Sequence, residues 1–280
     1  MILKLPRWVP ELLLASVFVV SGCASGPPPG PSPEQIAGEN AKTILVAPFN
    51  IVSSLPPELE GSTKLVSSAL IEHLEAHGKT ARLIGFRTGR DLWRVSMKEV
   101  RDSGQPRKFE NAAKVYARRL GEIVEFDVLI VPSIFIQNAR MRSLTVRWDG
   151  TEETIQIKGR GGTNSGNSYQ GNLGTLNVRA ASIFVHILDR DGNSIQTKRS
   201  GLELIQHLEF IVERKGGQSG TDKIRQGLVN DSPPIEDIEN VRAGIAAALS
   251  PFLPEEVPAP SPETPQADSV PEQVGSALVS

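Results

Sequence analysis

Two histidines four residues apart, His73 and His77, come nearest to a metal-binding signature in the sequence. On a helix that spacing brings two imidazoles to one ion. No third ligand accompanies them, and Glu75 is out of place for a zinc-peptidase motif, so they read as helix-flank histidines. Ser182, His186 and Asp189 have the residue types of a nucleophile–base–acid triad. On a strand, however, Ser182, Phe184, His186 and Leu188 share one face and Asp189 points to the other. Successive same-face residues stand about 7 Å apart, so Ser182 and His186 are too distant for proton transfer. The glycine-rich run Lys158–Gly174, "KGRGGTNSGNSYQGNLG", would cradle phosphate only if it led into a helix N-terminus. The next segment reads as a strand, so a flexible loop is expected, with partner binding as its functional alternative. There is no G-x-S-x-G, Walker loop or H-E-x-x-H. The expectation is a non-enzymatic protein with no catalytic residues, no metal and no cofactor.

One nucleophile stands apart. Cys23 is the only cysteine in 280 residues. Lys4 and Arg7 form a positive head, Leu12–Val20 is uncharged and largely apolar, and Ser21 and Gly22 are small, which is the order of a secretory signal peptide. Val20-Ser21-Gly22-Cys23 resembles the bacterial lipobox. That resemblance implies a diacylglyceryl group on the Cys23 sulfur, cleavage before Cys23 and acylation of its new amino group. Two or three acyl chains hold a protein stably on a membrane. A lipidated Cys23 leaves no thiol for a disulfide or for catalysis. In enterobacterial lipoproteins an aspartate after the cysteine favours the inner membrane. Ala24 stands there instead, which implies the periplasmic face of the outer membrane, with the inner membrane as the alternative.

The third feature is charge. Between Lys79 and Arg119 lie twelve lysines and arginines and four acids, a surplus of eight positive charges in a chain whose total is −2. Such a patch attracts anionic surfaces through its summed field. Arg90, Trp93, Arg94, Arg118 and Arg119 are the candidate partner-binding residues. In an envelope the partner would be an acidic protein, a phospholipid headgroup or a lipopolysaccharide phosphate. Nucleic acid is not expected in that compartment.

These groups must be positioned by the surrounding elements. Residues 1–22 read as signal peptide and 23–41 as the acylated cysteine with a proline-glycine tether. Residues 42–253 read as a globular domain. Residues 254–280 read as a disordered acidic tail: from Pro251 onward there are seven prolines, five acids and no basic residue. Within the domain, Thr43–Val52 is a continuous apolar run, as in a strand covered on both faces. Ser62 can cap a helix carrying Val66, Leu70 and Leu74, and Gly78 can end it. Thr80–Phe86 is a second strand. A helix is predicted over about 107–124, and Asp127–Ile136 is a third buried strand. This βαβαβ order predicts parallel neighbours. Hairpins then follow with turns at Asp149-Gly150 and Asp191-Gly192. A last helix is predicted after Ser232, with Pro233 and Pro234 in its first turn and Ile235, Ile238, Val241, Ile245 and Leu249 on one face. The fold class is α/β of the α+β kind: a mixed sheet with helices packed against it.

"ILVAPF", then a helix, then "LGEIVEFDVLIVPSI", then "SIFVHILDRDGNSI" resembles the periplasmic fold shared by the TolB N-terminal domain, the curli-secretion lipoprotein CsgG and the lipoprotein activators of penicillin-binding proteins. The resemblance covers about 42–253 and rests on strand and turn patterns. It implies a mostly non-enzymatic protein that acts through protein partners in the cell envelope, in assembly, secretion or cell-wall regulation. A subunit of a CsgG-like secretion channel is the first alternative, and an enzyme the second. Thr145–Ile157 alternates only in part, however, and is interrupted by Trp-Asp-Gly-Thr-Glu-Glu, where a spanning strand needs about 9–11 residues of outward apolar alternation.

Overall fold

The computed structural model describes residues 30–106, 108–158, 175–213 and 223–254. Strand β1 (Thr43–Val46) pairs in parallel with β2 (Thr80–Leu83) on one side and with β3 (Val128–Arg142) on the other. The first crossover runs through a short 3-10 helix (Pro57–Ser62) and helix α2 (Thr63–Ala76). The second runs through two helices, α3 (Phe86–Asp102) and α4 (Phe109–Gly121). β3 then pairs antiparallel along its whole length with β7 (Thr175–Asp189), which pairs antiparallel with β8 (Ser194–Leu204). The far end of β3 also carries the hairpin β4 (Thr145–Trp148) and β5 (Thr151–Thr154). The architecture is α+β, with a mixed sheet and helices packed on it.

Alternation along the strands sorts the core. Ile44 and Val46 of β1 join Ile130 and Ile134 of β3 and Ile183, Val185 and Ile187 of β7 on one face. Helices α2 and α5 (Ile238–Leu249) cover that face with Leu70, Leu74, Val241 and Ile245. Leu45, Ala47, Leu129 and Val131 point the other way, to Ala113, Tyr116, Ala117 and Leu120 of α4. A third cluster forms at the far end of the sheet, where Ala139, Met141, Val178 and Ala180 pack on Trp148 and Leu208.

Two polar devices fix the register. The Asp127 carboxylate accepts from the N–H groups of Lys42 and Thr43, both at 2.8 Å, and pins the start of β1. These backbone bonds hold its carboxyl below the usual range. Asn50 lies beyond the end of β1 with φ 57 and is 8% exposed. Its side-chain amide donates to the Ile134 carbonyl at 2.9 Å, and its side-chain oxygen accepts from the Ile134 N–H at 3.0 Å. One side chain thus does the work of a missing strand residue.

Several elements depart from the sequence reading. The 3-10 turn delivers Ser62 already in helical geometry, φ −86 and ψ −14, so its buried hydroxyl caps nothing. Part of the expected tether is helix α1 (Pro33–Asn40), capped by Ser32 in a reciprocal box with Gln35. Gly38 of α1 sits so close to Phe252 that a Cβ there would meet its carbonyl oxygen at 1.7 Å. Lys79 donates to the Gly38 carbonyl at 2.8 Å. β2 stops at Leu83 because α3 begins at Phe86, and α3 itself was not expected. It fully buries only Gly89, Ser96 and Val100, and half-buries Leu92 and Trp93 on the same face. Gly89 is required there, since a Cβ would meet Pro48 at 2.5 Å. α4 is shorter than the predicted 107–124 helix. α5 starts at Ile238, not after Ser232, because Asp237 accepts from the N–H groups of Glu239 and Asn240 and makes a true cap. β3 and β7 run on to Arg142 and Thr175. A second sheet of β6 (Ile157–Lys158), β9 (Gln206–Glu213) and β10 (Lys223–Asn230) was missed altogether.

Candidate functional site

Helix α3 packs on α4 through an electrostatic clamp. The Glu99 carboxylate accepts from Arg118 at 2.5 Å and from Arg119 at 2.6 Å. The two arginines, Arg119 foremost, hold the Glu99 carboxyl below its usual range. Trp93 lies on the inner side of α3, half-buried, with its ring centroid 5.8 Å from Phe109 and 5.5 Å from Tyr116. Arg94 is exposed and pairs with Asp91 at 2.9 Å. Arg90 is exposed and stacks its guanidinium 5.7 Å from the Phe86 ring.

The five sequence candidates are therefore not one surface. Arg90 and Arg94 stand on the outer side of α3. Arg118 and Arg119 are engaged at the α3–α4 seam, and Trp93 packs inward. What the sequence reading missed is a groove of about 560 Å³ along α4, where Lys114 and Arg118 meet Arg190 of the β7–β8 turn. Asn111 and Gln105 also line it, with Glu122 and Asp191 as its acids. Arg190 lies 71 residues beyond Arg119, so counting charges along a linear window could not bring it in. The turn is held against α4 by Gly192, where a Cβ would meet the Lys114 backbone at 2.5 Å.

The opposite charge collects elsewhere. Glu153 on β5 and Glu203 on β8 are half-buried, and burial pushes both carboxyls up. Glu153 accepts from the Leu204 N–H, and Glu203 from those of Glu236 and Asp237. Nearby, Asp231 takes Lys158 at 2.8 Å and His207 at 2.7 Å. The cleft among these groups is only about 80 Å³, and each carboxylate already holds a backbone or side-chain donor. The arrangement fastens β5, β6, β8 and β9 to the approach of α5.

His73 and His77 do face each other, with ring centroids 4.4 Å apart. Burial first, and the neighbouring imidazole second, lower the His73 pKa to about 4. Among the described residues no group of three or more His, Cys, Asp or Glu could hold a metal ion. Ser182 is fully buried and accepts from the Gln137 amide at 2.9 Å. His186 stacks on Phe109 with centroids 4.0 Å apart and bonds Thr197. Asp189 accepts from the Asp191 and Asn193 N–H groups and shapes its own turn. Four residues of extended chain, about 13 Å, separate Ser182 from His186, so the structure does not bring this trio together. Cys23, residues 159–174 and residues 255–280 lie outside the described residues. No described helix is long and apolar enough to cross a membrane.

No protein-family model matches the sequence, and a search of curated proteins found no match.

Proposed function

We propose that this chain is a lipid-anchored protein of the bacterial envelope, without catalytic activity, that binds an acidic protein partner through the cationic side of its α3–α4 layer. The observation that carries the reading is the separation of charge. The helix layer on one face of the sheet displays the basic surplus, and the α4 groove is a concave part of it. The clustered carboxylates of Glu153, Glu203 and Asp231 sit with another set of elements. The groove suits an acidic segment, because Lys114, Arg118 and Arg190 converge from two elements held in fixed relation by Gly192. Guanidinium and ammonium groups that converge on carboxylates give charge-assisted hydrogen bonds, which are among the stronger polar contacts. The lipobox-like run before Cys23 supports anchorage, and the unjoined Ser182, His186 and Asp189 support a non-enzymatic role.

The channel alternative draws less support. The ends of β3 and β7 that extend past β1 bury Ala139, Met141, Val178 and Ala180 in the third core cluster. Those stretches are thus committed to packing within the protein.

The test is site-specific photo-crosslinking in the producing cell. A crosslinker in place of Lys114 is expected to capture a discrete acidic protein, and one in place of Glu75, on α2, is not. Adding Arg190→Glu is expected to remove the Lys114 adduct. An adduct unchanged by Arg190→Glu would overturn the groove as the contact.

A further inference from the structure

Helix α3 has a second surface that the groove does not use. At about 100° per residue, Arg90, Arg101, Arg94, Arg87 and Lys98 fall within an arc of about 80°. That arc lies away from the buried Gly89, Ser96 and Val100, and all five side chains are exposed. Asp91 and Asp102 border the arc and pair with Arg94 and Arg101, so the stripe keeps a net charge of +3 from five cations and two acids. Apolar side chains flank it. Phe86 is 56% exposed, Val95 is 43% exposed, and Leu83 at the end of β2 is 53% exposed. Between Arg94, Val95, Met97, Lys98 and Arg101 lies a shallow, mostly apolar depression of about 380 Å³.

This pattern matches one kind of occupant. A protein partner would be met by a shaped pocket with fixed donors, as at the α4 groove. The α3 stripe instead spreads long cationic side chains along four turns of one helix, with an exposed aromatic ring and aliphatic groups at its margins. Anionic headgroups present phosphates in a plane, with acyl chains just beneath. Arginine and lysine heads can stay at that plane while their stems, with Phe86 and Val95, contact the apolar layer. The Arg90–Phe86 stack already holds a cation over an aromatic ring at the surface.

We infer that the outer stripe of α3 lies on an anionic phospholipid surface. This rests on the envelope reading for where such a surface is met, but neither Cys23 nor the α4 groove enters the contact. A protein tethered at a membrane meets headgroups at high effective concentration, so a modest intrinsic affinity is enough to orient it.

The test uses the full chain and vesicles of phosphatidylcholine with and without phosphatidylglycerol, read by flotation. The wild type is expected to bind the phosphatidylglycerol vesicles at least about tenfold more strongly, with binding falling as salt rises. Arg87→Glu/Arg90→Glu/Arg94→Glu is expected to lose that tenfold preference. Phe86→Ser/Val95→Ser is expected to lose part of it, and Lys114→Glu/Arg190→Glu to keep it. Circular dichroism checks the fold of each variant. Should the triple reversal fail to fold, Arg90→Gln/Arg94→Gln replaces it, with a several-fold loss expected. Equal binding of the wild type to both vesicles overturns the inference, as would be seen if an acidic protein occupied the stripe. Unchanged binding of the α3 variants, or an equal loss from the α4 variant, overturns it too. An unmodified Cys23 in cells would count against the envelope reading and leave the vesicle result untouched.

Discussion

The Glu99 carboxylate of α3 and the Arg119 guanidinium of α4 meet at 2.6 Å, and the second Glu99 oxygen takes Arg118 at 2.5 Å. One acid thus holds two of the basic residues at the centre of the cationic layer. Exposed ion pairs contribute little to stability, so Glu99→Gln is expected to lower the melting temperature only slightly. Its larger effect is on binding. Removing the acid adds one net positive charge and releases two guanidiniums, so recovery of the acidic partner is expected to withstand higher salt. Recovery that instead becomes more salt-sensitive would mean that the partner reads the clamped arrangement of Arg118 and Arg119.

Asn50 is expected to be among the most sensitive polar positions. Asn50→Ala removes both bonds to Ile134 and leaves a buried N–H and carbonyl unpaired. At about 1–3 kcal/mol for each orphaned group, the loss should be about 2–6 kcal/mol. Chemical denaturation measures it. A loss below about 1 kcal/mol would show that water or backbone movement replaces the carboxamide.

Gly38→Ala separates the docking of α1 from the stability of the sheet. The added methyl has no room beside the Phe252 carbonyl, so α1 is expected to detach while β1, β3 and β7 stay protected. Hydrogen exchange should then rise over 33–40 and remain slow over 128–134. Unchanged exchange in α1 would show that the C-terminal turn yields instead.

The His73 imidazole is held neutral, its pKa lowered from 6.5 to about 4 mainly by burial. The unfolded chain therefore binds more protons between about pH 6.5 and 4. The stabilising contribution is full above about pH 6.5 and is lost as the pH falls to about 4. His73→Gln is expected to flatten the melting-temperature profile across that window. Burial of the Glu153 and Glu203 carboxyls acts with the opposite sign, so the effect is read as wild type against variant, not from one profile. An identical slope in the two proteins would show that His73 is protonated as easily in the fold as in water.

Much of the frame was legible in the sequence, and the reasons are local. Asp127–Ile136 and the start of Thr43–Val52 are apolar on both sides because both faces of β3 and β1 are covered; β1 itself ends at Val46, short of the predicted Val52, because Pro48 has no N–H to continue the ladder. Asp149-Gly150 and Asp191-Gly192 mark their turns because Asp149, Gly150 and Gly192 adopt positive φ. Helix α3 is harder to read because two of the five positions on its inner face are Gly89 and Ser96, which leaves Leu92, Trp93 and Val100 as its apolar signal within a strongly polar segment. Strands β9 and β10 were passed over although "QHLEFIVE" carries strand-forming residues. The candidate site was legible only as a count of charges. Whether a lysine or arginine lies on the stripe, in the clamp or in the groove depends on helix phase and on Arg190, which a contiguous window cannot supply.

The central claim is membrane anchorage through Cys23, and its most direct test is mass spectrometry of the N-terminal peptide of the protein taken from cell membranes. The expected peptide begins at Cys23, with a diacylglyceryl group on sulfur and an acyl group on the new amino terminus. A membrane-bound protein whose Cys23 carries no lipid, or whose chain is cut elsewhere, would contradict the account.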